Sequence, residues 1–172
     1  VRAMCAVWPT GMGADVWIGA APVFHIWGIV VGSLAPVYRQ GCIVSMRRFV
    51  PDLMVETMAR HKATILTGGP AAFYNGLLNA PNIGSADLSS LRLCLGGGSP
   101  FALETMQRWK AATGNDIYEA YGMTEAAPLG GIRLGSELKL GTVGPPPFET
   151  EVQVVDLEDG TTVLGRGESG EI

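Results

Sequence analysis

Charge is what this chain has least of. Asp, Glu, Lys and Arg make up 16% of its 172 residues, against about 25% in an ordinary soluble domain. Together with a hydrophobic fraction of 47%, that scarcity excludes intrinsic disorder, which needs the opposite balance. Basic runs are also missing. None exceeds Arg47-Arg48, and the formal net charge is −4, so the chain carries no electrostatic footprint for nucleic acid. Cysteine is sparse and odd in number: Cys5, Cys42 and Cys94, with no CxxC and only two histidines in the chain. A disulfide framework and a His/Cys metal site are therefore excluded. The thiols are expected to be buried and reduced, in a cytoplasmic setting.

One stretch lacks charge altogether. Val16 to Tyr38 holds no Asp, Glu, Lys or Arg and is long enough to span a bilayer. Pro22, Pro36 and His25 interrupt it, so it reads better as a buried strand over 16–21 followed by a buried helix over 26–38. No transmembrane segment is expected, and Val1–Pro9 is too short an apolar run for a secretory signal.

What the chain has in excess is glycine, 24 residues, placed at the ends of apolar runs. Strands are predicted at 16–21, 42–46, 63–67, 91–95 and 116–121. Helices are predicted at 26–38, 51–60, 71–79 and 101–113, with Pro51 and Pro100 near two helix starts and Gly114 past one helix end. Such alternation predicts an α/β fold with a parallel, layered sheet. After about residue 141 the helical pattern stops. Two short alternating runs, 151–156 and 161–164, flank Glu158-Asp159-Gly160 and predict a hairpin. The chain thus divides into an α/β region over 1–140 and the beginning of an all-β, barrel-like subdomain over 141–172.

Three segments carry chemistry. The strand at 91–95 runs into Gly96-Gly97-Gly98-Ser99-Pro100, a turn whose main-chain groups a ligand can approach. It matches neither GxGxxG nor GxxxxGK[ST], and a tight strand-to-helix turn would look the same. The strand at 116–121 ends in Tyr118-Glu119-Ala120-Tyr121-Gly122-Met123-Thr124-Glu125. A ring to stack on a base, a hydroxyl for a phosphate oxygen and a carboxylate for a divalent cation suit a nucleotide. These two turns follow successive parallel strands, so both emerge at the carboxyl edge of the sheet, where open α/β sheets bind ligands. The third segment is Phe24-His25-Ile26-Trp27-Gly28. Its histidine also follows a strand, although a lone His in an apolar run is often a satisfied core residue.

Taken in order, these segments resemble the adenylate-forming, AMP-binding superfamily, in particular its acyl-CoA synthetase or fatty-acid:CoA ligase branch. Tyr121-Gly122-Met123-Thr124-Glu125 is similar to the family's Tyr-Gly-x-Thr-Glu. Gly97-Gly98-Ser99-Pro100 is similar to its Gly-Gly-Ala/Ser-Pro, and Phe24-His25-Ile26-Trp27-Gly28 to its Phe-His-x-x-Gly. Thr67-Gly68-Gly69-Pro70, Gly141-Thr142-Val143-Gly144-Pro145-Pro146 and Gly170-Glu171-Ile172 follow the family's order. Phe148 and Glu149 depart from it, standing where Pro and Gly are usual.

The resemblance implies a two-step reaction, in which a carboxylic acid is activated with ATP to acyl-AMP and then transferred to coenzyme A. It implies that Tyr121 stacks on adenine, that Glu119 and Ala120 meet the adenine edge, and that Gly98, Ser99 and Pro100 line its other side, with Gly122 and Met123 completing the nucleotide site. It implies that Thr124 binds the α-phosphate, that Glu125 coordinates Mg²⁺, and that His25 sits beside the carboxylate being activated. Gly69, Pro70 and Gly97 would wall the acyl pocket beside His25. The phosphate loop and the C-terminal domain with its lysine belong to other parts of such a protein. The chain is therefore expected to be an internal piece of the family's large N-terminal domain, inactive alone. The apolar segment after His25 favours a fatty acid over an amino acid as substrate. Two alternatives stay open: a non-catalytic nucleotide-binding or structural domain, and an adenylation domain of the peptide-synthetase-like or luciferase-like branch.

Overall fold

The structure, a computed structural model, describes residues 1–8, 10–126 and 128–172. Its centre is a six-stranded sheet of order β2-β1-β3-β4-β5-β6. The strands are β1 (Val16–Gly19), β2 (Cys42–Ser45), β3 (Ile65–Leu66), β4 (Leu93–Gly97), β5 (Ile117–Tyr121) and β6 (Gly130–Gly131). The first five are parallel, and β6 pairs antiparallel with β5. The helices are α1 (Arg2–Val7), α2 (Ile26–Ile29), a π-helical turn at Val30–Leu34, α3 (Ala35–Tyr38), α4 (Pro51–Arg60), α5 (Ala71–Leu78) and α6 (Leu103–Thr113).

The strand order places a reversal at β1. The chain leaves β1 toward β2 on one side, then returns to β3 on the other. Crossovers of one hand require the connecting helices to change faces at such a reversal, and the core divides that way. On one face Met54, Val55 and Met58 of α4, Tyr74 and Leu77 of α5, and Met106 and Trp109 of α6 pack with Ile18, Leu66 and Cys94. On the other, Met4, Cys5 and Val7 of α1 with Val31 and Ala35 pack on Trp17, Ile65, Leu93 and Leu95. Ile65 and Leu66 thus go to opposite cores, as strand alternation demands.

Local chemistry sets the elements. In α4, Pro51 occupies the first turn with Asp52, and Arg60 lies in the last turn, each favourable to the helix dipole. Arg60 pairs with Glu56 one turn earlier. Burying each large apolar side chain contributes about 1.5–3 kcal/mol, so the helix is held mainly by Met54, Val55 and Met58. At the amino edge of the sheet, Asp15, only 3% exposed, takes both oxygens to Arg92 Nη2 at 2.6 Å. It also accepts from Thr64 Oγ1 at 2.8 Å and from the Gly11 amide at 2.9 Å. The loops before β1, β3 and β4 are thereby tied to one carboxylate.

Several expectations need correction. The predicted strand over 16–21 ends at Gly19, where a Cβ would lie 1.9 Å from Thr67 Oγ1. Gly96 and Gly97 belong to β4 rather than to the turn, held by pairing with Glu119 and Ala120. Helix α6 begins at Leu103, not residue 101. The helix over 26–38 is continuous but widens into a π turn around Gly32. Cys42 is exposed, since β2 is an edge strand, whereas Cys5 and Cys94 are buried. Helix α1 and strand β6 had no counterpart in the sequence reading. The hairpin expected over 151–156 and 161–164 forms in a short version: Val155 bridges Val163 antiparallel, with the Asp156 amide donating to the Thr162 carbonyl at 2.9 Å and the Leu164 amide to the Val154 carbonyl at 2.8 Å, and Val155 also bridges Glu171. Glu149, which replaces the resembled family's glycine, has φ 60°, the left-handed region that glycine adopts at no steric cost. No helix among the described residues is long and apolar enough to cross a membrane.

Candidate functional site

The connections after β1, β3, β4 and β5 all leave at the carboxyl edge, and the reversal at β1 opens a crevice between the first two of them. Ligands of open α/β sheets bind at this kind of switch point. A cavity of about 500 Å³ lies there. Its rim brings together Ala20, Ala21, Pro22 and His25 after β1, Gly68, Gly69 and Pro70 after β3, Gly97 and Gly98 at the end of β4, and Ala120, Tyr121, Gly122 and Met123 at the end of β5.

Main-chain hydrogen bonds and close approaches shape that rim. The Gly97 amide donates to the Gly69 carbonyl at 3.1 Å. A Cβ on Gly97 would lie 2.7 Å from the Ala120 carbonyl oxygen, so only glycine lets β4 and β5 close here. The Ala71 amide donates to Ser99 Oγ at 3.2 Å, tying the turn after β4 to the start of α5. After β5, the Leu129 amide donates to the Tyr121 carbonyl at 2.9 Å and closes the base of the segment that carries Thr124 and Glu125.

His25 stands at the N-cap of α2, where its Nδ1 accepts the Trp27 amide at 3.1 Å. A neutral imidazole accepting through Nδ1 carries its proton on Nε2, so the ring offers a donor away from the helix. Gly28 fixes this corner. A Cβ there would lie 2.1 Å from the Pro22 carbonyl oxygen, which gives the glycine of Phe24-His25-Ile26-Trp27-Gly28 a steric reason.

Other sequence-predicted residues lie off the cavity wall. Ser99, Pro100, Thr124 and Glu125 are exposed on the turns beyond it. Glu119 is buried, and strand alternation sends it to the face opposite Ala120. Burial raises its carboxyl above the ordinary range, partly offset by the Phe101 amide. A Mg²⁺ ion bound to a nucleotide takes one or two carboxylates plus phosphate oxygens and water. No cluster of three metal-ligating side chains occurs among the described residues, and the Glu125 carboxylate lies exposed on its turn.

The interior wall is the part that sequence reasoning did not assign. Met4 and Trp8 reach it from the N-terminal segment, Val30 and Val31 from the π turn, Phe73 from α5, and Phe49 from against the Phe73 ring. The spacing of Met4, Val7 and Trp8 is helical and could have indicated the first two. Their arrival at this cavity depends on the packing of α1 across the sheet.

These features define a nucleotide-type α/β domain with a site at its switch point. The family described as AMP-binding enzyme matches residues 1–172, and the chain belongs to that family. It is 30% identical to the long-chain-fatty-acid–CoA ligase of Bacillus subtilis (strain 168), over 98% of this chain and 30% of that protein. It is 34% identical to the mitochondrial acyl-coenzyme A synthetase ACSM4 of Rattus norvegicus, over 91% of this chain and 25% of that protein. ATP-bound MatB from Rhodopseudomonas palustris superposes with a TM-score of 0.89 at 31% identity, over 98% of this chain and 33% of that one. The anthranilate CoA ligase AuaEII in complex with anthranoyl-AMP gives 0.83 at 25% identity, over 97% of this chain and 33% of that one. The chain therefore spans about a third or less of the length of these proteins.

Proposed function

We propose that this chain forms part of an ATP-dependent, AMP-forming acid:CoA ligase that activates a fatty or related apolar carboxylic acid. The observation that carries the reading is the meeting of the segments ending in His25, Gly97-Gly98 and Tyr121-Gly122-Met123 around one apolar cavity at the switch point. Family membership and ligase relatives support it.

In the first step, a carboxylate oxygen of the acid attacks the α-phosphorus of ATP, and the bond to pyrophosphate breaks. In the second, the sulfur of coenzyme A attacks the acyl carbonyl, its proton passes to solvent, and AMP leaves. Negative charge gathers on the α-phosphate in the first step and must meet donors there. We assign Tyr121 to stacking on adenine, with Ala120 and the backbone of Glu119, Gly98, Ser99 and Pro100 around the base. Thr124 donates to the α-phosphate, and the Nε2–H of His25 donates to the carboxylate being activated. Glu125 would hold Mg²⁺, which supplies charge neutralisation on the phosphates when bound. Gly69, Pro70 and Gly97 border the acyl group. The 172 residues alone are expected to release no pyrophosphate, since positioning by other parts of the enzyme dominates phosphoryl transfer.

The test is pyrophosphate release by the full-length polypeptide with ATP and a panel of acids. Glu125→Gln is expected to lower the adenylation rate about 10²–10³-fold with the fold intact by circular dichroism. An unchanged rate would remove Glu125 from the metal role, and no release with any acid would overturn the ligase reading.

A further inference from the structure

Apart from His25, the polar part of the cavity wall is slight. No Asp, Glu, Lys or Arg side chain lines it among the described residues. Nothing in the wall answers a second carboxylate or an amine, and burying such a group unpaired is costly. The wall instead contains two tryptophans that are held in place. Trp27 Nε1 donates to the Thr67 carbonyl at 3.0 Å, in the segment that opens into Gly68-Gly69-Pro70. The Trp27 ring edge lies 3.5 Å from where a Cβ on Gly97 would stand. Trp8 meets Trp27 edge-to-face, with ring centroids 6.3 Å apart and an interplanar angle of 71°. Trp8 is 3% exposed, and its Nε1 donates to the Ile132 carbonyl at 2.9 Å.

Both indoles thus face the cavity in fixed orientations, each hydrogen-bonded to a carbonyl on a different connection. Trp27 lines the same cavity as His25, and its ring edge stands beside Gly97, one of the residues assigned to border the acyl group. Bulk at that place limits branching near the reacting carbon more than it limits total length.

We infer that the Trp8–Trp27 pair is the specificity wall of the cavity, admitting straight apolar monocarboxylic acids and rejecting those with a ring or branch next to the carboxyl group. The inference rests on the ligase reading and names its selectivity. Trp27 acts by filling space and Trp8 by holding Trp27 in place.

The experiment uses the full-length polypeptide with ATP and measures kcat/KM for octanoate, 2-methyloctanoate, benzoate and malonate. Trp27→Ala is expected to raise the ratios of benzoate and of 2-methyloctanoate to octanoate at least tenfold, with KM for ATP unchanged and malonate still refused. Trp27→Phe keeps an aromatic wall and is expected to move the ratios less than threefold. Unchanged ratios in a folded Trp27→Ala enzyme, or an equal loss for every acid, would overturn the inference while leaving the ligase reading standing. Pyrophosphate release from no acid at all would overturn both. Should Trp27→Ala fail to fold, tryptophan emission decides. Octanoate with ATP is expected to shift it in the wild type and not in Trp27→Phe, and an equal shift in both would remove Trp27 from the wall.

Discussion

The backbone amide of Trp27 donates to Nδ1 of His25 at 3.1 Å, while the indole of the same Trp27 donates to the Thr67 carbonyl at 3.0 Å. One residue therefore sets both the orientation of the imidazole and the position of the neighbouring loop. His25→Asn keeps a side chain able to cap α2 and removes the Nε2–H donor. It is expected to keep the melting temperature and to lower the adenylation rate of the full-length protein about 10–100-fold. His25→Ala is expected to show the same rate loss plus about 1 kcal/mol of destabilisation from the missing cap. Thermal melts and pyrophosphate release measure the two effects separately.

The Asp15–Arg92 pair should behave asymmetrically. Asp15 is buried, and Arg92 has 38% of its side chain exposed. Removing the guanidinium leaves a buried carboxylate without its counter-charge, so Arg92→Ala is expected to cost about 3 kcal/mol. Asp15→Asn leaves Arg92 able to reach water and is expected to cost about 1–2 kcal/mol. Urea unfolding of both variants checks the order, and the reverse order would contradict it.

Glu119 gives a pH signature. Burial raises its carboxyl in the folded chain above the ordinary glutamate value of 4.5. The folded state then holds a proton that the unfolded chain releases more readily. Its stabilising effect is complete below the ordinary value and is lost as pH rises through the folded one. Glu119→Gln, neutral throughout, should match the wild type in acid and melt higher than it near neutrality. Melting temperatures across that range decide.

The three thiols should separate by exposure. Cys94 is fully enclosed, and burial pushes its pKa up to about 12. Cys5 is also buried, and Cys42 lies open on the edge strand. A thiol reagent is expected to modify Cys42 in the native chain at once, and Cys5 and Cys94 only on unfolding. Peptide mapping after a short pulse reads this directly.

Glu149 carries backbone strain that glycine would not. With φ 60°, replacement by glycine removes a left-handed penalty of about 1–2 kcal/mol while adding unfolded-state entropy. Glu149→Gly is therefore expected to raise stability by about 0.5–1 kcal/mol, measured by urea unfolding of the same region.

Much of the fold was legible because its signals are local. Pro51, Asp52 and the Met54–Met58 spacing specify α4 to the residue, and the apolar runs at Ile65–Leu66 and Leu93–Leu95 specify buried parallel strands. Strand ends were harder. Gly96 and Gly97 look like turn residues by composition, yet pairing with Glu119 and Ala120 draws them into β4. Cys42 was misplaced because strand type alone does not reveal which strand lies at an edge. The hairpin that pairs Val155 with Val163 was legible because its turn, Glu158-Asp159-Gly160, and its alternation are local signals.

By itself the sequence determined the α/β class, the order of the five parallel strands and the helices between them, and the glycine-bearing segments near His25, Gly97 and Tyr121. Each follows from spacing, turn chemistry or the side chains present. Only the tertiary structure decided the reversal at β1, the burial of Glu119 and the arrival of Trp8 beside Trp27. These depend on which strands pair and which helices cross the sheet, and those choices are settled by contacts between residues far apart in the chain.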